Sequence, residues 1–176
     1  MFSNPKDILE KAYIGDGMHV ADIGAGSGHY AFLISDMVGD NGQVYAVDVQ
    51  QDLLTKIKNE VTAKHRKNVG VILADAEREG GTGIAPGTID RVLFANSLFQ
   101  FDDKEGAAKE AKRLLKRTGR VIVVDWTDSF SSMGPHKDHV FGKDAAVKLF
   151  LKAGFDIERE VPAGDHHYGL ILKLQS

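Results

Sequence analysis

Short apolar runs of strand length alternate with stretches whose apolar residues recur at helical spacing along nearly the whole chain. That alternation predicts stacked βα units around a mostly parallel sheet. The first run, Met18 to Ile23, ends in Gly24-Ala25-Gly26-Ser27-Gly28 and leads into a helical stretch from Tyr30 to Val38. Gln43 to Asp48 reads as a second strand, followed by a helix whose Leu53, Leu54, Ile57 and Val61 form one apolar stripe. Val69 to Ala74 is the third strand and opens through Asp75-Ala76 into Gly80-Gly81-Thr82-Gly83. Ile89 to Ala95 is the fourth, and a helix follows from about residue 102 to 117 with Ala107, Ala111, Leu114 and Leu115 facing inward. Gly119 then reads as that helix's stop and Arg120 to Asp125 as the fifth strand. A long connection, 126–139, precedes a helix marked by Phe141, Ala145, Leu149 and Phe150 that ends near Gly154. Two last strands, 155–160 and 168–174, are joined by the 161–167 loop with no room for a crossover helix, so they form an antiparallel hairpin.

Composition narrows the class. With 176 residues, 43% hydrophobic and 27% charged, the chain suits one globular domain of α/β type over residues 1–176, led by an N-terminal helical segment, 1–17. A formal charge of -3 supplies no drive toward nucleic acid, which makes nucleic-acid binding the minority reading. The basic series Lys109, Lys112, Arg113, Lys116 and Arg117 is most simply a helix's wet face. Zero cysteines exclude disulfides, thiolate metal sites and cysteine nucleophiles. The first residues lack the apolar run of a signal peptide or a membrane anchor, so the expectation is a cytoplasmic protein without membrane insertion.

Candidate chemistry lies at the strand ends. Gly24, Gly26 and Gly28 turn a buried strand into a helix and let a ligand approach the backbone. The dinucleotide fingerprint wants its third glycine where this chain has His29, which disfavours a nicotinamide dehydrogenase. Asp22 beside the loop is awkward for a phosphate and comfortable for an amine or sulfonium cation. Asp48 ends the second strand, where a carboxylate can accept from both hydroxyls of a ribose, and Asp75 with Ala76 ends the third. An isolated Asp in such a place is usually a cap or turn former, but three acids and a glycine loop converge on one crevice.

On these residues the chain resembles the class I S-adenosylmethionine-dependent methyltransferases, and among them the ubiquinone/menaquinone-biosynthesis type. The resemblance is carried by Val20 to Gly28, Val44 to Asp48, Ala74-Asp75-Ala76 and Arg113 to Arg120. It implies a Rossmann-like three-layer αβα sandwich with a seven-stranded sheet in the order 3-2-1-4-5-7-6, strand 7 antiparallel. It further implies S-adenosylmethionine as cofactor and S-adenosylhomocysteine as product. The cofactor-binding set carried over is Asp22, Gly24, Ala25, Gly26, Ser27, Gly28, Asp48, Val49, Asp75, Ala76 and Asn96. The implied acceptor is a small molecule; a macromolecular acceptor and a non-catalytic cofactor-binding subunit are the alternatives. No Asn/Asp-Pro-Pro-Tyr signature of amino-group methylators follows strand four, which weakens amino methylation.

Methyl transfer needs a base when the acceptor must lose a proton. His29, His136 and His139 are the candidates, with Tyr30, Phe99 and Trp126 as further positions near the transferred methyl. His136 and His139 sit in a Gly-Pro loop that fixes no metal geometry, and His166-His167 lie on a second loop, so no metal site is expected.

Overall fold

The computed structural model describes residues 4–129 and 134–176. Residues 1–3 of the N-terminal segment and 130–133 of the 126–139 connection therefore lie outside the described residues. Seven strands, β1 (His19–Ile23), β2 (Gln43–Asp48), β3 (Val69–Leu73), β4 (Ile89–Ala95), β5 (Leu115–Trp126), β6 (Phe155–Pro162) and β7 (His167–Leu174), form one sheet in the order β3-β2-β1-β4-β5-β7-β6. The first five are mutually parallel, and β7 runs antiparallel to both β5 and β6.

Helices cover both faces because the strands are apolar on both. On one face α1 (Pro5–Lys11), α2 (His29–Val38) and α3 (Gln51–Ala63) bury Ile8, Leu9, Ala31, Ile34, Leu54 and Ile57 against Val20, Val44 and Leu93. On the other, α4 (Lys104–Leu114) and α5 (Lys143–Lys152) bury Ala107, Ala111, Leu114 and Phe150 against Val92, Phe94 and Val123. Local signals set the helix starts: Asn4 accepts from the Lys6 amide ahead of Pro5 at the first turn, and Asp103 accepts from the Gly106 amide to open α4. Among the described residues, no helix is long and apolar enough to cross a membrane.

Two expectations fail at the α4–β5 junction. The helix spans 104–114 rather than 102–117, and β5 starts at Leu115 rather than Arg120. Leu115 lies at helical spacing from Ala111, but it pairs instead with Ile89 of β4. The next matched pair is Arg91 with Arg120, so the intervening residues of β5 bulge out of register. Gly119 is therefore no helix stop. It belongs to this irregular strand, where a Cβ would lie 2.9 Å from the Lys116 carbonyl oxygen and 3.2 Å from that of Ile89.

The basic series is likewise not one wet helical face. Lys116 lies on β5 and pairs with Asp90 at 2.9 Å, while Arg113 forks onto the buried Glu110 and also donates to the Ile84 carbonyl. Glu110 in turn accepts from the Gly80 amide and from the Thr82 amide and hydroxyl, pinning the 80–84 loop to α4.

Candidate functional site

Parallel strands deliver their carboxyl ends to one edge, and there the chain reverses out of β1, β2, β3 and β4 around a cavity of about 250 Å³. After β1 the backbone takes positive φ at Gly24, Gly26 and Gly28, with values of 75°, 54° and 82°. Two of these positions leave no room for a side chain. A Cβ on Gly24 would come within 2.6 Å of the Ser97 Cβ, and one on Gly28 within 2.8 Å of Ile57 Cγ1. At Gly26 the nearest atom would be the Gly24 carbonyl oxygen, 4.0 Å away, and this glycine borders the cavity.

Asp48 fastens the loop. One of its carboxylate oxygens accepts from the Gly26 amide and the other from the Gln50 amide, each at 2.9 Å, while the Gly24 and Ala25 amides donate to the Val47 carbonyl. The strand-end acid thus positions the glycine turn while lining the cavity itself. Across from it, Asp75 accepts from the Glu77 amide at 3.0 Å and pairs with the largely exposed Arg78 at 3.2 Å. Glu77 reaches the amide of Asp103 at the start of α4. The far wall is the turn after β4, where Ser97 donates to the Ile23 carbonyl at 2.9 Å and Gln100 and Phe101 close the side.

Of the residues named from sequence, Gly24, Gly26, Asp48, Val49, Asp75 and Ala76 line the cavity. Ala25, Ser27 and Gly28 belong to the turn without lining it, and Asp22 and Asn96 are not among the lining residues either. Both of these hold a buried side-chain oxygen, Asp22 Oδ2 and Asn96 Oδ1, with no hydrogen-bond partner among the described residues. Burial first, and Asp48 second, push the Asp22 carboxyl up to about 7 despite an amide bond from Ala31. Tyr30 on α2 is raised to about 12 by burial and by the same Asp22. Two adjacent strands, β1 and β4, therefore end in acceptor oxygens that lack a donor among the described residues. A cationic amine would supply the missing donor, and a sulfonium would supply only an opposite charge.

Sequence reasoning passed over Gln50, Leu53, Glu77, Ser97, Gln100 and Phe101 as cavity walls. Leu53 belongs to the apolar stripe expected for α3, and Ser97 and Gln100 lie in the stretch after strand four that carries part of the family resemblance; Gln50, Glu77 and Phe101 are set by how two connections meet in space.

The histidines separate. His29 is exposed at the start of α2 with its ring edge against Tyr30 and does not line the cavity. His136 is exposed and paired with Asp138 at 3.2 Å. His139 lines a second, shallower cleft with Phe99, Lys104 and Phe141, which shares Gln100 and Phe101 with the first. Trp126, at the end of β5, is buried and stacked on His167 with ring centroids 4.1 Å apart.

Comparison with known proteins gives this edge a context. The profile of a family described as a methyltransferase domain matches residues 14–158. A ubiquinone/menaquinone biosynthesis C-methyltransferase from Shewanella frigidimarina is 28% identical over 123 residues, which cover 68% of this chain and 47% of that protein. The aklanonic acid methyltransferase of a Streptomyces species is 28% identical over 105 residues, covering 60% and 46%. The chain thus spans about half the length of the curated relatives it matches. The crystal structure of a SAM dependent methyltransferase from Aquifex aeolicus superimposes with a TM-score of 0.88 at 26% identity, covering 97% of this chain and 89% of that one.

Proposed function

The chain belongs to the methyltransferase-domain family, and on that premise we propose that it transfers a methyl group from S-adenosylmethionine to a small-molecule acceptor. The observation that carries this reading is the cavity with Asp48 and Asp75 at its rim and two donorless acceptor oxygens, on Asp22 and Asn96, at the neighbouring strand ends. The cofactor is a nucleoside joined to a cationic amino acid. Its ribose hydroxyls would fall to Asp48 and its adenine amine to Asp75, with the ring against Val49, Leu53 and Phe101. Its charged end would face Asp22 and Asn96, where a phosphate would be repelled.

S-adenosylmethionine supplies a methyl group on a sulfonium sulfur, open to in-line attack by a nucleophile. The protein's own task is then to hold the acceptor aligned at near-attack distance and to keep water out. Beside the cavity, the cleft open to an acceptor is lined by Phe99, Phe101 and Phe141 together with the polar Asp102, Lys104, Asp138 and His139. The small-molecule acceptors named for the two curated relatives support the same class here.

The test is a melting series. S-adenosylhomocysteine at 100 times its Kd should stabilise the protein by about 2.7 kcal/mol, because it binds only the native state, while NAD should not. Stabilisation by NAD alone would overturn the cofactor assignment.

A further inference from the structure

The sheet has two outer edges, and they are built differently. The edge strand β6 carries Glu158, Arg159 and Glu160, ends in Pro162 and shifts register against β7 between Ile157 and Arg159. Charge, proline and a bulge are the usual devices that keep an open strand from pairing with another chain. At the opposite edge β3 reads Val69-Gly70-Val71-Ile72-Leu73 and has none of them. Leu73 is 56% exposed, and Val71 and Ile72 are half-buried.

The ladder decides which backbone groups this edge presents. The Asn68 carbonyl accepts from the Val44 amide and the Ala74 amide donates to the Asp48 carbonyl, so the even-numbered residues of the segment bond inward to β2. The amides and carbonyls of Val69, Val71 and Leu73 therefore point to the open side, with no strand beside them among the described residues.

We propose that this edge pairs with the same edge of a second copy, antiparallel about a two-fold axis at Val71, so that two sheets become one. The edge is self-complementary in backbone, shape and charge. With Val71 on the axis, each Val71 exchanges both of its hydrogen bonds with its counterpart, and Val69 does the same with Leu73 of the second copy, which gives every outward group a partner. Val69 and Leu73 then share a face, which covers the exposed leucine, while Ile72 falls opposite Gly70, which brings no competing side chain.

Just beyond the strand ends, Lys67 falls opposite Asp75 of the second copy, twice over by symmetry. Lys67 is exposed and has no ion-pair partner among the described residues. A register shifted by two residues would set Lys67 against Leu73 in one direction and Asp75 against Val69 in the other, so the charges select the same register as the axis at Val71. This match favours a second copy over an unrelated strand. It also brings a cation from each copy to Asp75 at the rim of the other's cavity. The inference stands on the edge alone and holds whatever reaction the cavity serves.

The experiment is sedimentation equilibrium of the whole chain, joined to hydrogen exchange read amide by amide in nuclear magnetic resonance spectra. Expected is twice the monomer mass at about 0.1 mM, where a micromolar Kd leaves most chains paired. Protection of the Val69, Val71 and Leu73 amides should fall on dilution, while that of Gly70, Ile72 and Ala74 changes little, an alternation that needs no variant to fold. Leu73→Lys and Val71→Pro should each raise the dimer Kd at least tenfold with an unchanged far-ultraviolet circular dichroism spectrum, because the leucine is exposed and the Val71 amide bonds to nothing within its own chain. Lys67→Glu should raise it about threefold to tenfold. Added salt should weaken the wild-type dimer and strengthen that of Lys67→Glu, since attraction across the axis has become repulsion. A wild type that is monomeric at that concentration would leave the edge to an extended peptide of another protein and overturn the proposal. A dimer unaffected by all three substitutions, or protection that does not alternate along β3, would overturn it equally.

Discussion

Replacing Asp22 with asparagine should make the protein more stable and a poorer cofactor binder. Asp22 is 2% exposed, and its carboxyl is pushed from an ordinary 3.8 to about 7, by burial and then by Asp48. Between those two values the native state keeps a proton that the unfolded chain has released. Native stability therefore falls with rising pH, by about 1.4 kcal/mol per unit. The contribution is fully present below the ordinary value and is lost as pH rises through about 7, a total of about 4 kcal/mol. At about pH 5.5 roughly 2 kcal/mol of it is already gone, because only part of the interval has been crossed. An asparagine side chain has no such titration, so the stability of Asp22→Asn relative to wild type should grow by about 2 kcal/mol between about pH 5.5 and about pH 8. Urea unfolding of both proteins at the two pH values measures that difference. A difference that is flat with pH, or that shrinks as pH rises, would refute the reasoning, because it would mean that Asp22 is not carried in the free protein as a costly buried acid. The same substitution should weaken binding of the cationic cofactor, the usual exchange between stability and a ligand-ready site.

Gly28→Ala places a Cβ 2.8 Å from Ile57 Cγ1 at a φ of 82°, and should cost about 1–3 kcal/mol through strain and overpacking. At this chain length that is a fall in Tm of about 2–4 °C per kcal/mol, read by calorimetry. Glu110→Gln removes the charge that holds the Gly80 amide, the Thr82 amide and hydroxyl and the Arg113 fork, a loss of about 1–3 kcal/mol by denaturant titration, with faster amide exchange at residues 80–84. Burial raises the Glu110 carboxyl, but those hydrogen bonds outweigh it and hold it down to about 2. Its contribution is therefore present above the ordinary glutamate range and is lost as pH falls toward 2.

Where the chain alternates cleanly, its pattern already specifies the structure. Val20 to Gly28 and Val44 to Asp48 are buried strands cut off by a glycine turn or an acid, so their ends and the acids on them were legible in the residues alone. Leu115 shows the opposite case: its spacing from Ala111 fits a helix, and only the partner it finds in Ile89 makes it a strand residue. Ser97 and Phe101 wall the cavity because the turn after β4 closes on Gly24, a contact between positions far apart in the chain that no local period reports. Glu110 and Arg113, three residues apart, look like an ordinary surface pair until the 80–84 loop is seen to hang from them. His166 and Asp128 meet for the same non-local reason, across the β5–β7 ladder.

The central claim is that Asp48, at the end of β2 and bonded to the Gly26 and Gln50 amides, grips the ribose of S-adenosylmethionine. Isothermal titration of S-adenosylhomocysteine into wild type and Asp48→Ala, each checked for folding beforehand, tests it most directly. Expected are one site per chain in the wild type and affinity at least tenfold weaker in the variant, about 1.4 kcal/mol. Equal affinity in the two proteins would contradict it.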